Sequence, residues 1–255
     1  NESIHDEIIT AGTSRAHAFL YSTGVNGNVK WKKQFTHRTF TNVQTYNNVI
    51  YVAGSTNGNV SVSQFNRNGV ELTNTVFSYA GEASKLITTD KQIQVVGRVY
   101  MQRISLSVTV STAFFATMKP LLPRVWSVDM QLLTPSTVNG CWQDKHYTDV
   151  IDVSRRSDTD YVMLLHTFVM NKSGQFMHDA VRNVRVLSNS TAAKPAHTLF
   201  STPVAMLDEN ITACEVSDDV LYIAGTRQNN STLGAVATLE KLTYSPSNNS
   251  WLQEW

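Results

Sequence analysis

The stretch Ile50-Tyr51-Val52-Ala53-Gly54-Ser55 decides the fold of this chain, because versions of it return along the sequence. The other copies occupy residues 8–13, 93–97 and 221–226. The glycines of the first three copies lie 42 and 43 residues apart, and the last glycine follows 128 residues later. A sequence that repeats itself every 20 to 50 residues or so is typical of repeat architectures.

Each copy of this phrase belongs to a set of short β-rich runs. A preceding run ends at a polar turn, which predicts a hairpin, and it is found at residues 40–46, 83–88 and 211–216. Two further runs follow each phrase, as in Ala18-Phe19-Leu20-Tyr21, the turn Asn26-Gly27-Asn28 and Val29-Lys30-Trp31. Four antiparallel strands for every forty-odd residues, almost without helical periodicity, predict an all-β fold built from β-propeller blades.

We predict a single β-propeller domain over residues 1–255, with about five units, either closed or part of a larger propeller. The units span about residues 1–39, 40–82, 83–147, 148–209 and 210–255. A β-solenoid normally has shorter coils, and a β-sandwich gives no reason for the glycine phrase to return in register. We expect the glycine to permit close backbone approach or a bulge, which is a structural role.

These units resemble a known class of repeats. The segments Asp-x-x-Ile-Gln-Val-Val-Gly, Phe-x-x-x-Met and Asn-Gly-Asn-Val-Lys-Trp are similar to uncharacterised β-propeller repeats of large surface and secreted proteins. The resemblance is clear over residues 8–100 and 210–255 and poor over 106–207. It implies a scaffold for display, adhesion or assembly. Residues 24–31 also resemble the end of a quinoprotein blade, but the second unit has no tryptophan at the equivalent place, residues 72–77.

The composition excludes several functional classes. The 21 basic and 20 acidic residues give a net charge of +1, and charged residues make up 16% of the chain. That balance offers no electrostatic case for binding nucleic acid. No apolar run approaches the roughly 18 residues of a membrane-spanning helix, so we expect no membrane insertion in this segment.

Glycosylation signals point to the secretory pathway, and hence to an extracellular or cell-surface location. The chain holds 24 Ser, 28 Thr and 20 Asn, and eight of its Asn residues begin an Asn-x-Ser/Thr signal, about twice the number that composition alone would give. Those candidates are Asn1, Asn59, Asn171, Asn189, Asn210, Asn229, Asn230 and Asn248. The alternative is that a chain rich in Asn, Ser and Thr forms such signals by chance. Cys141 and Cys214 allow either one disulfide or two free thiols.

The densest set of reactive side chains lies at residues 141–149, where the repeat rhythm breaks. We predict an insertion on a blade rim, where binding residues tend to lie. Trp142, His146 and Tyr147 are the candidate contacts for a partner, with an ordinary polar loop as the alternative. No catalytic residue, metal site or cofactor is predicted, because the hydrolase, phosphate-binding and paired-cysteine zinc motifs are absent.

The sequence therefore favours a non-catalytic glycoprotein module that binds a protein or a glycan, or assembles through open blade edges. Two alternatives stay open. One is a subunit of an extracellular filament, because an open first strand near Ile4 and an open last blade near Trp255 would be exposed edges that need partners. The other is a propeller hydrolase, lyase or quinoprotein whose active-site residues are dispersed over the blade loops.

Overall fold

The computed structural model describes thirteen segments of the chain, and strands dominate all of them. The described residues are 7–15, 17–89, 91–103, 108–122, 125–133, 145–155, 160–170, 181–188, 197–204, 209–217, 219–228, 235–245 and 250–253. They contain 18 β-strands and no helix. The chain divides into two compact units, residues 1–109 with 113–132 and residues 110–112 with 133–255. Each unit is described separately below.

The first unit holds ten strands in two sheets, and within each sheet consecutive strands are hydrogen-bonded neighbours. The first sheet has the order β1-β2-β3, and the second has the order β10-β9-β8-β7-β6-β5-β4. The strands are β1 (Glu7–Ser14), β2 (His17–Gly24), β3 (Val29–Thr36), β4 (Arg38–Tyr46), β5 (Val49–Thr56), β6 (Asn59–Asn66), β7 (Glu71–Thr88), β8 (Ile93–Arg103), β9 (Val108–Leu122) and β10 (Val125–Leu133).

The second unit holds two four-stranded sheets, again with each strand beside the next in sequence. The first of them consists of β11 (Lys145–Arg155), β12 (Asp160–Met170), β13 (Val181–Ser188) and β14 (His197–Val204). The other consists of β15 (Glu209–Ser217), β16 (Val220–Gln228), β17 (Ala235–Ser245) and β18 (Ser250–Gln253). The four-stranded grouping that the repeats predict is therefore confirmed here, including the poorly matching region before residue 207.

The seven-stranded sheet is two groups of four that share one long strand. Residues of β7 up to Ala80 pair with β6, and residues from Gly81 onward pair with β8. Gly81 has φ +153°, and its amide donates to Gly58 O at 2.9 Å. A Cβ there would lie 2.2 Å from Arg98 O, so only glycine fits where the strand changes partners. The sequence prediction placed a boundary between units at residue 82, and the structure has a continuous strand across it.

Polar turns close the hairpins as predicted. Asn47 and Asn48 both have positive φ, 46° and 62°, which is the two-residue turn that matches strand twist. Asn57 and Gly58, with φ of 51° and 79°, repeat the arrangement between β5 and β6. Asn tolerates this left-handed region better than most residues, which explains its abundance at the strand ends.

The repeated glycine fits against a bulge in the strand before it. In four strands the pairing register slips by one residue, which leaves Thr41, Ser84, Ile151 and Thr212 as the extra residues. A Cβ on Gly54 would lie 1.8 Å from Thr39 O, and one on Gly97 would lie 2.2 Å from Glu82 O. The predicted close approach is confirmed, and it is made to the first strand of the same group.

Two hydrophobic clusters hold the strands of the first unit together. Alternate side chains of β5 point to opposite faces, so Ile50 and Val52 belong to one cluster while Ala53 belongs to the other. The first cluster joins β2, β4, β5 and β6 through Ala18, Leu20, Phe40 and Phe65 among others. The second runs from β5 to β9 and is the larger. Tyr51 packs against it, and burial raises the pKa of its phenol above the ordinary 10.0.

Candidate binding surface

Two of the three candidate contact residues of the sequence analysis lie in β11. His146 and Tyr147 belong to this strand, where they pair in register with Val169 and Phe168. The prediction of an inserted loop at these two residues is therefore wrong, because a regular antiparallel ladder includes them. Trp142 lies outside the described residues. Their role in binding stays a prediction.

Two of the eight candidate glycosylation residues fall in described segments. Asn59 is the half-buried first residue of β6, and its signal is completed by Ser61, which is buried and accepts a hydrogen bond from the Thr56 hydroxyl at 3.0 Å. Asn210 lies in β15, paired with Thr226. The residues outside the described segments are Asn1, Asn171, Asn189, Asn229, Asn230 and Asn248. Glycosylation of all eight stays a prediction.

Of the two cysteines that could form a disulfide, only Cys214 lies in a described segment. Cys214 is buried in β15, with 4% of its surface exposed, and its backbone amide donates to Asp152. Cys141 lies outside the described residues. The pairing of the two cysteines therefore stays a prediction.

Two neighbouring turns of the first unit present apolar side chains to solvent. In the turn from β2 to β3, Val25 and Val29 are 67% and 63% exposed. This turn is closed by backbone bonds from Gly24 N to Asn28 O and from Gly27 N to Gly24 O, both 2.9 Å. The valines are therefore held on a fixed backbone.

Trp31 joins this turn to the turn from β6 to β7. Its indole Nε1 donates to Arg67 O at 2.7 Å. Its ring lies against Gly69, where an added Cβ would be 2.8 Å from the ring carbons, and Gly69 itself has φ +70°. The next residue, Val70, is 54% exposed. We call Val25, Val29, Trp31, Arg67 and Val70 the turn surface.

The second turn is fixed by a single side chain. The Asn66 carboxamide oxygen accepts from the amides of Asn68 and Val70, at 3.0 and 2.9 Å. Gly69 N also donates to Asn66 O, and Asn66 N to Val70 O. Such local bonding is why Asn recurs at turns. Both halves of the turn surface are thus preorganised.

An ion pair lies beside Trp31 in sequence. Lys30 Nζ is 2.7 Å from Glu7 Oε1, with both side chains partly exposed. The hydrogen bond from Lys30 holds the pKa of the Glu7 carboxyl below its ordinary 4.5, although desolvation by burial opposes it. The turn surface thus combines exposed apolar side chains with Arg67 and a neighbouring ion pair, a mixture that is common in protein contacts.

The sequence analysis missed the exposed valines, although it singled out residues 24–31. The tryptophan there resembles that of a quinoprotein blade, but in this structure it packs on the turn of the next strand group. Exposure of a valine depends on which strands surround its turn, so no local pattern reports it. The available signal was the glycine after Asn68, which permits the ring to approach.

No metal centre or membrane span is formed by the residues that the structure describes. Within them, no three His, Cys, Asp or Glu side chains gather closely enough to hold an ion. The same residues include no helix that is long and apolar enough to cross a bilayer.

Comparison with known proteins supports the fold class and gives no information on function. The chain matches no protein-family model and no curated protein sequence. Among solved structures, extracellular domains 1-2 of Drosophila Semaphorin 1a overlap 97% of this chain at 8% identity, with a TM-score of 0.51. The chain covers 66% of that structure's length. An ACO/RPE65 chimera overlaps 99% of this chain at 9% identity, with a TM-score of 0.53, and 68% of its own length is covered.

An endo-1,4-beta-xylanase from Bacteroides thetaiotaomicron overlaps less well, with a TM-score of 0.45 at 10% identity over 98% of this chain and 94% of its own. The first two structures have β-propeller-type folds, so the predicted all-β propeller class is confirmed. At these identities the likeness defines a fold, and functions vary widely on one fold.

Proposed function

We propose that this chain is a non-catalytic binding module of a secreted or cell-surface protein, and that the turn surface contacts a protein partner. The observation that carries the proposal is the set of three exposed valines on two turns that Trp31 holds together. The likeness to extracellular domains of Semaphorin 1a is consistent with such a module.

Physical reasoning favours binding at this surface. Valines that are more than half exposed gain free energy when a partner removes them from water, at about 25 cal/mol for each Å² of apolar surface. Because both turns are already fixed by hydrogen bonds, little backbone entropy would be lost on binding. Clustered apolar residues within a polar rim are a common mark of protein contacts.

The compartment is proposed on the glycosylation signals, and intact mass measurement tests it. The protein from its native source should lose several hexose-bearing increments after enzymatic removal of N-glycans. If Cys141 and Cys214 are bridged, neither will be alkylated without reduction. A mass equal to the bare chain, with both thiols alkylated, would contradict the secreted location and reopen the enzymatic reading.

The turn surface is tested by paired substitutions. Labelled full chain should bind saturably to the surface of cells from its source, and Val29→Asp with Val70→Asp should weaken that binding at least tenfold. The matched control is Val128→Asp, because this valine is 38% exposed and belongs to β10, which forms no part of either turn. Equal binding by both variants would contradict a role for the turn surface.

A second candidate function, a subunit of an extracellular filament, is favoured by one observation. Among the described residues, a Cβ added to Gly12 in β1 would meet nothing within 4 Å, whereas one added to Gly54 or Gly97 would meet the backbone of the preceding strand. An open strand edge of this kind can pair with another chain. A filament would show as a mass that rises with concentration in sedimentation.

A further inference from the structure

The strand β3 forms the outer edge of the first sheet, and most of its side chains are exposed. In the order β1-β2-β3, its one hydrogen-bonded neighbour among the described strands is β2. Six of its eight residues are exposed, and the other two, Trp31 and Phe35, pack against the first hydrophobic cluster. On such an edge strand, backbone N–H and C=O groups point away from the sheet and can pair with another extended segment.

Three lysines distinguish β3 from the other outer strands of the first unit. They are Lys30, Lys32 and Lys33. The part of β7 that pairs only with β6, residues 71–80, contains no Lys or Arg, and neither does β10. Lysines on an edge oppose pairing with a second copy of the same strand, because like charges directly opposite each other repel. This edge is therefore protected against self-pairing and favours a strand of opposite charge.

Two of the three lysines lack an acidic partner. Lys30 Nζ lies 2.7 Å from Glu7 Oε1, so its charge is offset within the sheet. Lys32 and Lys33 are exposed and make no ion pair with any residue that the structure describes. The same is true of Arg67 in the turn from β6 to β7. In a chain whose net charge is only +1, this is a local concentration of positive charge.

The two lysines without an acidic partner lie on opposite faces of the sheet. Lys32 pairs with Tyr21, and its Nζ lies 5.2 Å from the centre of the Phe19 ring. Lys33 pairs with Leu20, which belongs to the first hydrophobic cluster on the other face. Because successive residues of a strand point to opposite faces, a segment beside β3 meets one lysine on each face. Two adjacent acidic residues of that segment would pair with both.

The turn surface continues directly into this strand. Val29 is the first residue of β3, and the bond from Trp31 Nε1 to Arg67 O holds the second turn, with Val70, against the same strand. Val29 precedes Lys32 by three residues, so a segment that spans both would need an apolar residue three positions from its acidic pair. An anionic glycan would neutralise the lysines but leave the valines in water, which favours a polypeptide.

We propose that β3 binds an extended acidic segment of a partner protein along its free edge. Adjacent Glu or Asp residues of the segment lie beside Lys32 and Lys33, and an apolar residue covers Val29. In such strand addition, main-chain hydrogen bonds supply affinity and the flanking side chains supply specificity. The inference rests on the proposed function, since it names the partner chemistry for the turn surface. Salt screens attraction between exposed charges, so binding weakens as ionic strength rises.

The probe is a fluorescent synthetic peptide, Val-Thr-Thr-Glu-Glu-Thr-Thr-Val, whose spacing is the same in a parallel and an antiparallel orientation. One control peptide has Gln in place of both Glu residues. A second has Pro in place of the two Thr residues that flank the Glu pair, which removes N–H groups that strand pairing needs. Binding to the full chain is measured by fluorescence anisotropy at low salt. We expect each control to bind about tenfold more weakly or less.

Matched variants of the protein test the lysines. Lys32→Gln with Lys33→Gln should weaken binding of the acidic peptide about tenfold. The control variant, Lys91→Gln with Lys119→Gln, removes the same charge from exposed positions outside β3 and both turns, and it should bind as wild type does. Because all four side chains are exposed, both variants should keep the thermal midpoint of the wild type.

Several outcomes would overturn the proposal. Equal binding of the Glu and Gln peptides, or equal binding by both lysine variants, would reject recognition by charge, and full binding of the Pro peptide would reject strand pairing. A heparin oligosaccharide that binds more tightly than the acidic peptide, and binds less to the Lys32→Gln and Lys33→Gln variant, would assign these lysines to an anionic glycan. Cell binding that is lost with Val29→Asp and Val70→Asp but kept in the lysine variant would reject this inference alone and leave the proposed function intact.

Discussion

The first strand group and the second are built from the same repeat, yet their glycines lie in opposite surroundings. Gly54 is pressed against the backbone of β4, and Gly12 faces open space. Both strands carry nearly the same residues around the glycine, so the difference comes from the neighbour. The same glycine phrase is therefore compatible with a closely packed neighbouring strand, as at Gly54, and with its absence among the described residues, as at Gly12.

The largest expected effect comes from substituting the two glycines and comparing the stability of the variants. Gly54→Ala places a methyl group on Thr39 O and Phe40 Cα, both backbone atoms that cannot move aside, and should lower the free energy of unfolding by about 3 kcal/mol or more. Gly12→Ala should leave it unchanged or raise it by up to about 1 kcal/mol, because alanine restricts the unfolded chain. Urea unfolding followed by circular dichroism measures both. Equal losses in the two variants would refute the contrast.

A smaller effect concerns the hydrogen bonds in which a side-chain oxygen of one strand accepts from a backbone amide of another, and it compares their contribution to stability in the two units. Asp152 is 7% exposed and offers a charged oxygen to Cys214 N, whereas Asn42 is half-buried and offers a neutral one to Leu86 N. Removing an acceptor leaves a backbone N–H without a partner, which lowers stability. Hydrogen bonds to charged groups are stronger than those between neutral groups. We expect Asp152→Ala to cost about 2–3 kcal/mol and Asn42→Ala about 1 kcal/mol.

The rate of hydrogen exchange at the two amides, Cys214 N–H and Leu86 N–H, tests these individual hydrogen bonds separately from global stability. Protection of the Cys214 amide should fall in Asp152→Ala and that of Leu86 in Asn42→Ala. Asp152→Asn is the control, because a carboxamide still offers an oxygen. If both amides stay protected from exchange in the alanine variants, their protection does not come from the side-chain oxygens of Asp152 and Asn42.

The smallest effect concerns the ion pair between β1 and β3. Because the pKa of Glu7 is lowered in the folded chain, its contribution is fully present above the ordinary pKa of 4.5 and is lost as the pH falls through the lowered pKa. The pair is partly exposed, so Glu7→Gln should cost about 0.5 kcal/mol or less at neutral pH. The difference from wild type should vanish in acid. A difference that grows in acid would reverse the sign of this prediction.

Much of the fold is predictable from the sequence because its turns and strands are encoded locally. The paired Asn47 and Asn48 and the alternating Ile50 to Ala53 predict a hairpin without any tertiary knowledge. The bulged residues Thr41, Ser84 and Thr212 each lie next to a residue that pairs with the repeated glycine, whereas the bulge at Ile151 lies opposite leucines, so no single local pattern predicts all four bulges. The continuity of β7 was not predicted, because the runs at residues 70–77 and 83–88 belong to two different repeat units in the sequence.

The site was less predictable than the fold. Val29, Lys32 and Lys33 are ordinary strand residues until β3 is known to lie at the edge of its sheet. His146 drew attention as a reactive type, and it lies in a regular ladder. Side-chain chemistry indicates a site only when the elements that bring residues together are known, and here those elements are far apart in sequence.

The shared strand β7 has a consequence for how the molecule comes apart. The 18 residues of β7 pair with strands of both groups, and no linker separates the two halves. We therefore expect that β4 to β6 cannot separate from β8 to β10 as an independent unit. Unfolding of one group removes the partner of the other at Ala80 and Gly81. A protease acting on the native chain should find no permissive cut between them, and the seven strands should melt in one transition.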